Sequence, residues 1–158
     1  MVAEFDLAAM EAALEQARLA EQIGEVPVGC CIYRGGELIS AAYNRRESNR
    51  SALAHAELLA IEAACERLGG WRLHECDLYV TLEPCPMCTG AIINARLRRL
   101  VFGAKDPKAG CLGSVVDLTQ LPFNHKPLVT GGVLEQECSE LLKVFFQRLR
   151  DKKTVPPR

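Results

Sequence analysis

The chain has 158 residues, of which 49% are hydrophobic and 25% are charged. This is typical of one compact domain with its own core and excludes a disordered or fibrous chain. The net charge of −1 disfavours a nucleic-acid partner, because such domains usually carry a basic surface. Any RNA-binding function must therefore depend on local positive patches.

The start of the chain predicts neither export nor membrane insertion. Residues 1–6 are acidic and lack the basic and apolar regions of an export signal. No segment approaches the run of about 20 apolar residues that a membrane span needs. We therefore expect a cytoplasmic protein with no membrane partner.

Apolar periodicity and turn residues predict nine helices and strands. In chain order they are a helix over 5–23, a hairpin of strands over 28–33 and 38–43, a helix over 55–68, a strand over 77–82, a helix over 86–95, strands over 99–103 and 128–130, and a helix over 135–150. The strand–helix–strand unit over 77–103 has the length of a right-handed crossover, so its two strands should be parallel. This order predicts a layered α/β fold. We expect a single domain over 1–151 and a frayed, charged tail over 152–158.

Eight cysteines are many for a chain of this length. In a reducing compartment they are more often free thiols, metal ligands or redox pairs than disulfides. Only Cys85 and Cys88 have the spacing of metal ligands. The others lie in apolar or helical contexts and are expected to be inert, small hydrophobic side chains: Cys30, Cys31, Cys65, Cys76, Cys111 and Cys138.

The Cys85–Cys88 motif follows a predicted strand and opens a predicted helix. Cysteines three residues apart lie on one helical face, so both sulfurs can reach one ion. The partial positive charge of a helix N-terminus favours the thiolates that bind zinc. A thioredoxin-like redox pair has the same placement, and the motif by itself does not decide between the two. A structural zinc site would need a fourth protein ligand.

The residues His55, Ala56 and Glu57 favour the metal interpretation. Three protein ligands, His55, Cys85 and Cys88, leave the fourth zinc position to water, which is the pattern of a catalytic site with one Zn²⁺ per chain. Zinc lowers the pKa of bound water from about 15.7 to about 7. Glu57 would then act as the catalytic proton shuttle between water, a ring nitrogen and departing ammonia. Alternatively, Glu57 only stabilises the first turn of its helix through the helix dipole.

The motifs H-A-E at 55–57 and P-C-P-M-C at 84–88 resemble those of the zinc-dependent cytidine and deoxycytidylate deaminase superfamily. The resemblance covers residues 5–150. Further matching segments lie at 25–29, 43–45, 81–85, 103–108, 110–114 and 123–125. Together they are similar to the bacterial tRNA adenosine deaminases, which form inosine at the anticodon wobble position.

This resemblance implies a three-layer α/β/α, cytidine-deaminase-like fold with a central mixed five-stranded sheet. It also implies zinc held between two helix N-termini, a homodimer, and the anticodon loop of tRNA as partner. Asn44 would hydrogen-bond the purine, the Ala56 N–H would contact the base edge, and Val28 and Pro84 would line the pocket. The residues expected to meet the splayed anticodon nucleotides are Asp106, Lys108, Asn124, His125, Phe146 and Arg150.

Three other functions remain open at this point. A free-nucleobase deaminase acting on guanine or cytosine would share the zinc and Glu57, but it would not need the loop around Asp106 or a basic C-terminal helix. A thiol redox protein would use Cys85 and Cys88 and leave His55 unexplained. A zinc-stabilised binding module would have to fill the open coordination position with another side chain.

Overall fold

The structure is a computed structural model that describes residues 2–154. Its helices and strands are α1 (Glu4–Gln22), β1 (Gly29–Arg34), β2 (Glu37–Tyr43), α2 (Ala56–Leu68), β3 (Cys76–Leu82), α3 (Pro86–Asn94), β4 (Arg99–Ala104), a 3₁₀ helix (Leu118–Gln120), β5 (Leu128–Gly131) and α4 (Glu135–Thr154). All nine predicted elements are present, and the 3₁₀ helix is an addition. The last helix is longer than predicted, so residues 152–154 of the expected tail are helical. Residues 155–158 lie outside the described part of the chain.

One sheet forms the middle of the domain, in the order β2-β1-β3-β4-β5. β1 pairs antiparallel with both β2 and β3. β4 pairs parallel with both β3 and β5. The predicted hairpin, the parallel crossover and the mixed five-stranded sheet are therefore confirmed.

Helices cover both faces of the sheet, because successive strand residues point to opposite sides. Cys30 and Ile32 of β1 lie in a buried cluster with residues of α2 and α3. Cys31, between them, lies in a second cluster with residues of α1 and α4. This is the predicted three-layer arrangement, with α1 and α4 on one face and α2 and α3 on the other. Within residues 2–154, none of the helices combines the length and apolar character of a membrane span.

A buried ion pair connects α1 to the edge of the parallel strands. Both oxygens of Asp6 accept hydrogen bonds from the guanidinium of Arg99, at 2.9 and 2.7 Å, and the hydroxyl of Tyr79 donates to Oδ1 at 2.6 Å. Burial alone would raise the pKa of Asp6. The hydrogen bonds from Arg99 and Tyr79 and the charge of Arg99 outweigh it, so the pKa is lowered.

We expect Asp6→Asn to lower the free energy of unfolding by about 2 kcal/mol at pH 7, because the charge-assisted bonds to Arg99 are lost. A carboxyl whose pKa is lower in the folded state stabilises the fold above its unfolded pKa of about 3.9, and this contribution is lost as the pH falls through the folded value. Urea unfolding of wild type and variant from pH 7 to pH 3 tests this. The two curves should converge in acid. Glu4→Gln, at an exposed carboxylate in the same helical turn, should change neither the free energy of unfolding at pH 7 nor its pH dependence. A difference in the free energy of unfolding between wild type and Asp6→Asn that stays constant at all pH values would contradict the assignment.

Candidate active site

Two helices begin side by side at one end of the sheet. His55 is the N-cap residue of α2, and Cys85 is the N-cap residue of α3. Pro86 occupies the first turn of α3, where its fixed φ suits the helix and its missing N–H costs nothing. Both helices pack on the same face of the sheet and on each other. Their positively polarised N-termini therefore face a common point.

The three predicted metal ligands meet at this point. Nδ1 of His55 lies 3.7 Å from Sγ of Cys85 and 3.5 Å from Sγ of Cys88. All three donor atoms lie within 4.8 Å of one another. Among residues 2–154 this is the one cluster of three or more His, Cys, Asp or Glu side chains with such spacing. Among the other cysteines, Cys76 lies closest to Cys85 in the sequence, and it begins β3 at the opposite end from the cluster.

The electrostatics of the cluster favour a bound cation. The hydrogen bond from the Cys88 thiol, followed by that from His55, lowers the pKa of Cys85 to about 4. The hydrogen bond that Cys88 gives to Cys85, together with burial, raises the pKa of Cys88. The two sulfurs thus share one negative charge and one proton, and a metal ion can displace that proton. Burial raises the pKa of the other six cysteine thiols, which keeps them protonated.

Glu57 lies in the first turn of α2, beside the cluster of His55, Cys85 and Cys88. Its side chain is buried, at 4% exposure. Burial raises its pKa, although the charge of His55 opposes this. Glutamate side chains are rarely fully buried in proteins. The Glu57 carboxylate is suited to accept and return a proton next to a metal ion.

A cavity of about 700 Å³ opens above the cluster, in the size range of small-molecule pockets. Its walls come from the loop after β2, the start of α2, the loop after β4 and one face of α4. The predicted site residues that line it are Val28, Asn44, His55, Ala56, Glu57, Cys85, Asp106, Lys108, Phe146 and Arg150.

The side-chain amide of Asn44 is held in one orientation. Its Nδ2 donates to the carbonyl of Val26 at 3.2 Å, and its Oδ1 accepts from the backbone N–H of Arg46 at 3.2 Å. The second Nδ2 hydrogen and the second Oδ1 lone pair remain available for a ligand. This buried residue therefore offers the cavity one donor and one acceptor at defined places.

Four predicted residues lie outside the cavity wall. Cys88 is fully buried behind His55. Pro84 is also buried, and its carbonyl accepts from the N–H of Cys111 and the hydroxyl of Thr89.

Asn124 and His125 are the other two, and they lie at the far end of β4. Nε2 of His125 is 2.6 Å from the carbonyl oxygen of Leu97, two residues before β4 begins. The cavity lies at the other end of this strand, beside Ala104. From Arg99 to Ala104, β4 is about 17 Å long at about 3.3 Å per residue. One protomer cannot bring these two residues to a base in its own cavity.

Sequence reasoning overlooked part of the cavity wall. Ser139, Leu142 and Lys143 line it together with Phe146 and Arg150. Their spacing of three, four, seven and eleven residues from Ser139 describes one face of α4, so helical periodicity alone would have grouped them. Arg46 and Lys105 also line the cavity, and only the fold reveals this because both are loop residues.

The chain is similar to known deaminases over most of its length. The family model of the MafB19-like deaminases matches residues 5–150. The tRNA-specific adenosine deaminase of Bacillus subtilis is 50% identical over 145 residues, which cover 91% of this chain and 90% of that protein. The tRNA-specific adenosine deaminase of Haemophilus influenzae is 42% identical over 154 residues, covering 96% and 89%.

Solved structures give the same result. A structure from a study of A-to-I editing by tRNA:A34 deaminases at the wobble position of transfer RNA superimposes with a TM-score of 0.83 at 46% identity, covering 85% of this chain and 99% of that one. The guanine deaminase of Nitrosomonas europaea superimposes with a TM-score of 0.79 at 27% identity, covering 92% and 85%. The cytidine-deaminase-like fold expected from the sequence is thereby confirmed.

We expect Cys85 to be the most reactive thiol of the metal-free protein. At pH 6 its lowered pKa leaves it as the thiolate, whereas the raised pKa of the half-buried Cys65 leaves that thiol protonated. Brief alkylation with iodoacetamide after chelation, followed by peptide mass spectrometry, should label Cys85 first. His55→Ala should slow this labelling, because the hydrogen bond and charge that stabilise the thiolate are removed. Equal labelling of Cys65 and Cys85 at pH 6 would refute the assignment.

Proposed function

The chain belongs to the MafB19-like deaminase family, and we propose that it converts adenosine to inosine at the wobble position of a tRNA anticodon. The observation that carries this proposal is that the cluster of His55, Cys85 and Cys88 and the carboxylate of Glu57 lie at one cavity, which is also lined by cationic side chains. Sequence identity of 50% and 42% to tRNA-specific adenosine deaminases supports the choice of substrate.

We propose Zn²⁺ as the metal, one ion per chain. A tetrahedral zinc ion with Zn–N of about 2.0 Å and Zn–S of about 2.3 Å holds its nitrogen and sulfur ligands about 3.5 Å apart. The distances from His55 Nδ1 to the two sulfurs are 3.7 and 3.5 Å, so the donor set fits. Three protein ligands leave one coordination position for water. When bound, zinc supplies the acidity that makes water a nucleophile near neutral pH.

The protein's own groups would carry the protons. In the overall reaction, water adds to C6 of adenine, the exocyclic amino group leaves as ammonia, and a carbonyl remains. Glu57 would accept a proton from the attacking water and deliver it to the ring nitrogen. It would then accept the second proton, from the hydroxyl now on C6, and pass it to the leaving amino group, so that ammonia departs as the carbonyl forms. Burial keeps the Glu57 carboxylate away from bulk solvent, so its proton passes to the substrate.

The cavity walls would hold the flipped base. Asn44 offers its free donor and acceptor to the purine edge, and Ala56 offers the N–H of the first residue of α2, which has no partner within the helix. Val28 contributes an apolar wall. Phe146 is 40% exposed on the cavity face of α4 and can stack on a neighbouring unpaired base.

An RNA substrate explains the positive charge of the side chains that line the cavity. The cavity-lining cations are all exposed: Arg46, Lys105, Lys108, Lys143 and Arg150. Two of the three lining carboxylates, those of Glu57 and Glu83, are buried, and Asp106 accepts hydrogen bonds from the N–H groups of its own loop. A free-base deaminase has no use for these five exposed cations, whereas RNA phosphates would pair with them. Because tRNA is the proposed substrate, we also propose a cytoplasmic location.

We propose that the chain works as a homodimer. Large exposed apolar side chains lie in two segments next to the site, with Leu53 at 62% exposure two residues before His55, and Val115 and Val116 at 59% and 43% directly after Ser114. We take these exposed apolar side chains as the surface that contacts the second protomer. Asn124 and His125, which are expected to meet the splayed anticodon nucleotides, lie at the end of β4 opposite the cavity of their own protomer, and a second protomer would bring them to RNA bound there.

Sedimentation should show a dimer for wild type and a monomer for the double variant Leu53→Asp, Val115→Asp, because charges at both sites oppose burial against a partner. Leu128→Asp changes a side chain that is 69% exposed on β5 and should remain dimeric. A monomeric wild type at micromolar concentration contradicts the dimer proposal.

For the chemistry, we expect wild type to hold about one zinc ion per chain and to form inosine in an adenine-containing anticodon stem-loop RNA. Glu57→Ala should retain zinc but lose at least about 100-fold in kcat, because the proton shuttle is removed. His55→Ala should lose zinc. Metal analysis and inosine quantification on the same preparations test this. Zinc-loaded wild type that leaves the RNA unchanged but consumes free guanine or cytosine would instead support a free-base deaminase.

For the RNA contact, we expect Lys143→Glu to raise KM for the stem-loop roughly five-fold. It should also reduce the slope of log affinity against log salt concentration by about one, the value for one phosphate contact. Arg34→Glu is the matched control. Arg34 is also exposed, but it pairs with Cys76 at the opposite end of the sheet. Equal effects of the two variants would show that only net charge matters and would remove Lys143 from the RNA-binding surface.

A further inference from the structure

Glu83 is a buried carboxylate, 2% exposed, that belongs neither to the metal cluster nor to the proton shuttle. It follows β3 and directly precedes Pro84 and Cys85. Burying a carboxylate is costly unless hydrogen bonds replace its water shell, so the partners that it has found indicate what it does.

Within residues 2–154, all the hydrogen-bond partners of the Glu83 side chain come from the loop after β4. Oε1 accepts from the N–H of Asp106 at 3.1 Å and from the hydroxyl of Ser114. Oε2 accepts from the N–H of Leu112 at 2.9 Å and from the N–H of Ser114 at 3.2 Å. Four donors from three residues thus converge on one side chain, and the loop folds around it.

The loop is built to let this carboxylate approach. A Cβ at Gly110 would collide with the carboxyl carbon and with Oε2 of Glu83. Only glycine therefore fits between the loop backbone and the carboxylate. Pro84 adds a backbone contact, since its carbonyl accepts from the N–H of Cys111 at 3.0 Å.

The order imposed by Glu83 passes to the cavity wall. Asp106, whose N–H is held by Glu83, uses its own Oδ1 to accept from the N–H groups of Lys108 and Ala109, at 3.0 and 3.2 Å. Lys105 to Ala109 line the cavity continuously. The path from the Glu83 carboxylate to the wall thus consists of only two sets of hydrogen bonds.

We propose that Glu83 is a positioning residue for substrate binding, which holds the 105–114 loop so that Asp106 and Lys108 face the RNA bound in the cavity. The proposal rests on the proposed function for the identity of its ligand. It predicts a defect in RNA binding and not in the chemical step, because Glu83 does not touch the metal donors.

Glu83→Gln is the decisive variant. Each carboxylate oxygen of Glu83 accepts from a backbone N–H, so an amide group in either orientation directs its NH₂ at a donor and cannot restore the contact. We expect Kd and KM for the anticodon stem-loop to rise about ten-fold, as for the loss of hydrogen bonds to a charged group. The kcat should change less than about three-fold, and zinc should remain bound. Amide hydrogen exchange should accelerate at residues 106–114.

Two further variants separate positioning from general stability. Ser114→Ala removes one exposed hydroxyl that donates to Glu83 and should raise Kd and KM in the same direction by about two-fold, in a protein that folds even if Glu83→Gln does not. Asp6→Asn removes another buried, hydrogen-bonded carboxylate, which lies on the α1 side of the sheet. It should lower stability without changing Kd or KM for the RNA below the unfolding transition.

Several results would overturn the proposal. Loss of zinc or a fall in kcat at unchanged KM would assign Glu83 to the metal centre. Unchanged RNA affinity in both Glu83→Gln and Ser114→Ala would show that Glu83 has no role in binding. An equal loss of affinity in Asp6→Asn would show that lowered stability, and not the position of the loop, causes the defect. If wild type binds the stem-loop without forming inosine, only the proposed reaction fails and the Kd comparison still decides. If wild type neither binds nor deaminates the RNA, both proposals fail.

Discussion

The site depends on the meeting of two helix N-termini above one end of the sheet. α2 and α3 start at His55 and Cys85 and pack on the same face, so two sets of unpaired N–H groups and two positive helix ends point to one place. That field stabilises a thiolate, and the helix geometry places Cys88 one turn behind Cys85. The parallel crossover from β3 through α3 to β4 fixes this arrangement, because it sets α3 at the end of β3 where the chain leaves the sheet.

Buried carboxylates organise the loops around this centre. Glu83 gathers the loop after β4. On the other side of the cavity, Glu25 accepts from the N–H groups of Glu47 and Ser48 and from the Ser48 hydroxyl, next to the segment that carries Asn44. Loops of this length have little apolar surface to bury, so hydrogen bonds to an internal charge supply the order that hydrophobic packing cannot. A binding surface made of loops can then be as well defined as the helices beneath it.

Charge distribution matters more for this chain than its total. A net charge of −1 gave little reason to expect a nucleic-acid partner, but the fold collects five exposed cations from three separate segments around one opening. At the site, the carboxylates of Glu57 and Glu83 are buried, and Asp106 accepts hydrogen bonds from its own loop. Of the five cations, Arg46 has an ion-pair partner in the exposed Glu47, at 3.7 Å. Since the potential at short range follows local charge at physiological ionic strength, such an opening attracts phosphates despite the acidic balance of the chain.

The sequence by itself determined the elements and the chemistry of the metal centre. Helices, strands and the His55, Cys85 and Cys88 donor set follow from periodicity and from motifs of a few residues, which depend on local backbone geometry. The tertiary structure alone decided which loop residues share a wall. Arg46, Lys105 and Lys143 are distant in sequence and converge only through the packing of α4 against the sheet. Asn124 and His125, which are expected to meet the splayed anticodon nucleotides, lie at the end of β4 opposite the cavity. Loop positions are set by long-range hydrogen bonds, such as those to Glu83, and no local pattern records those partners.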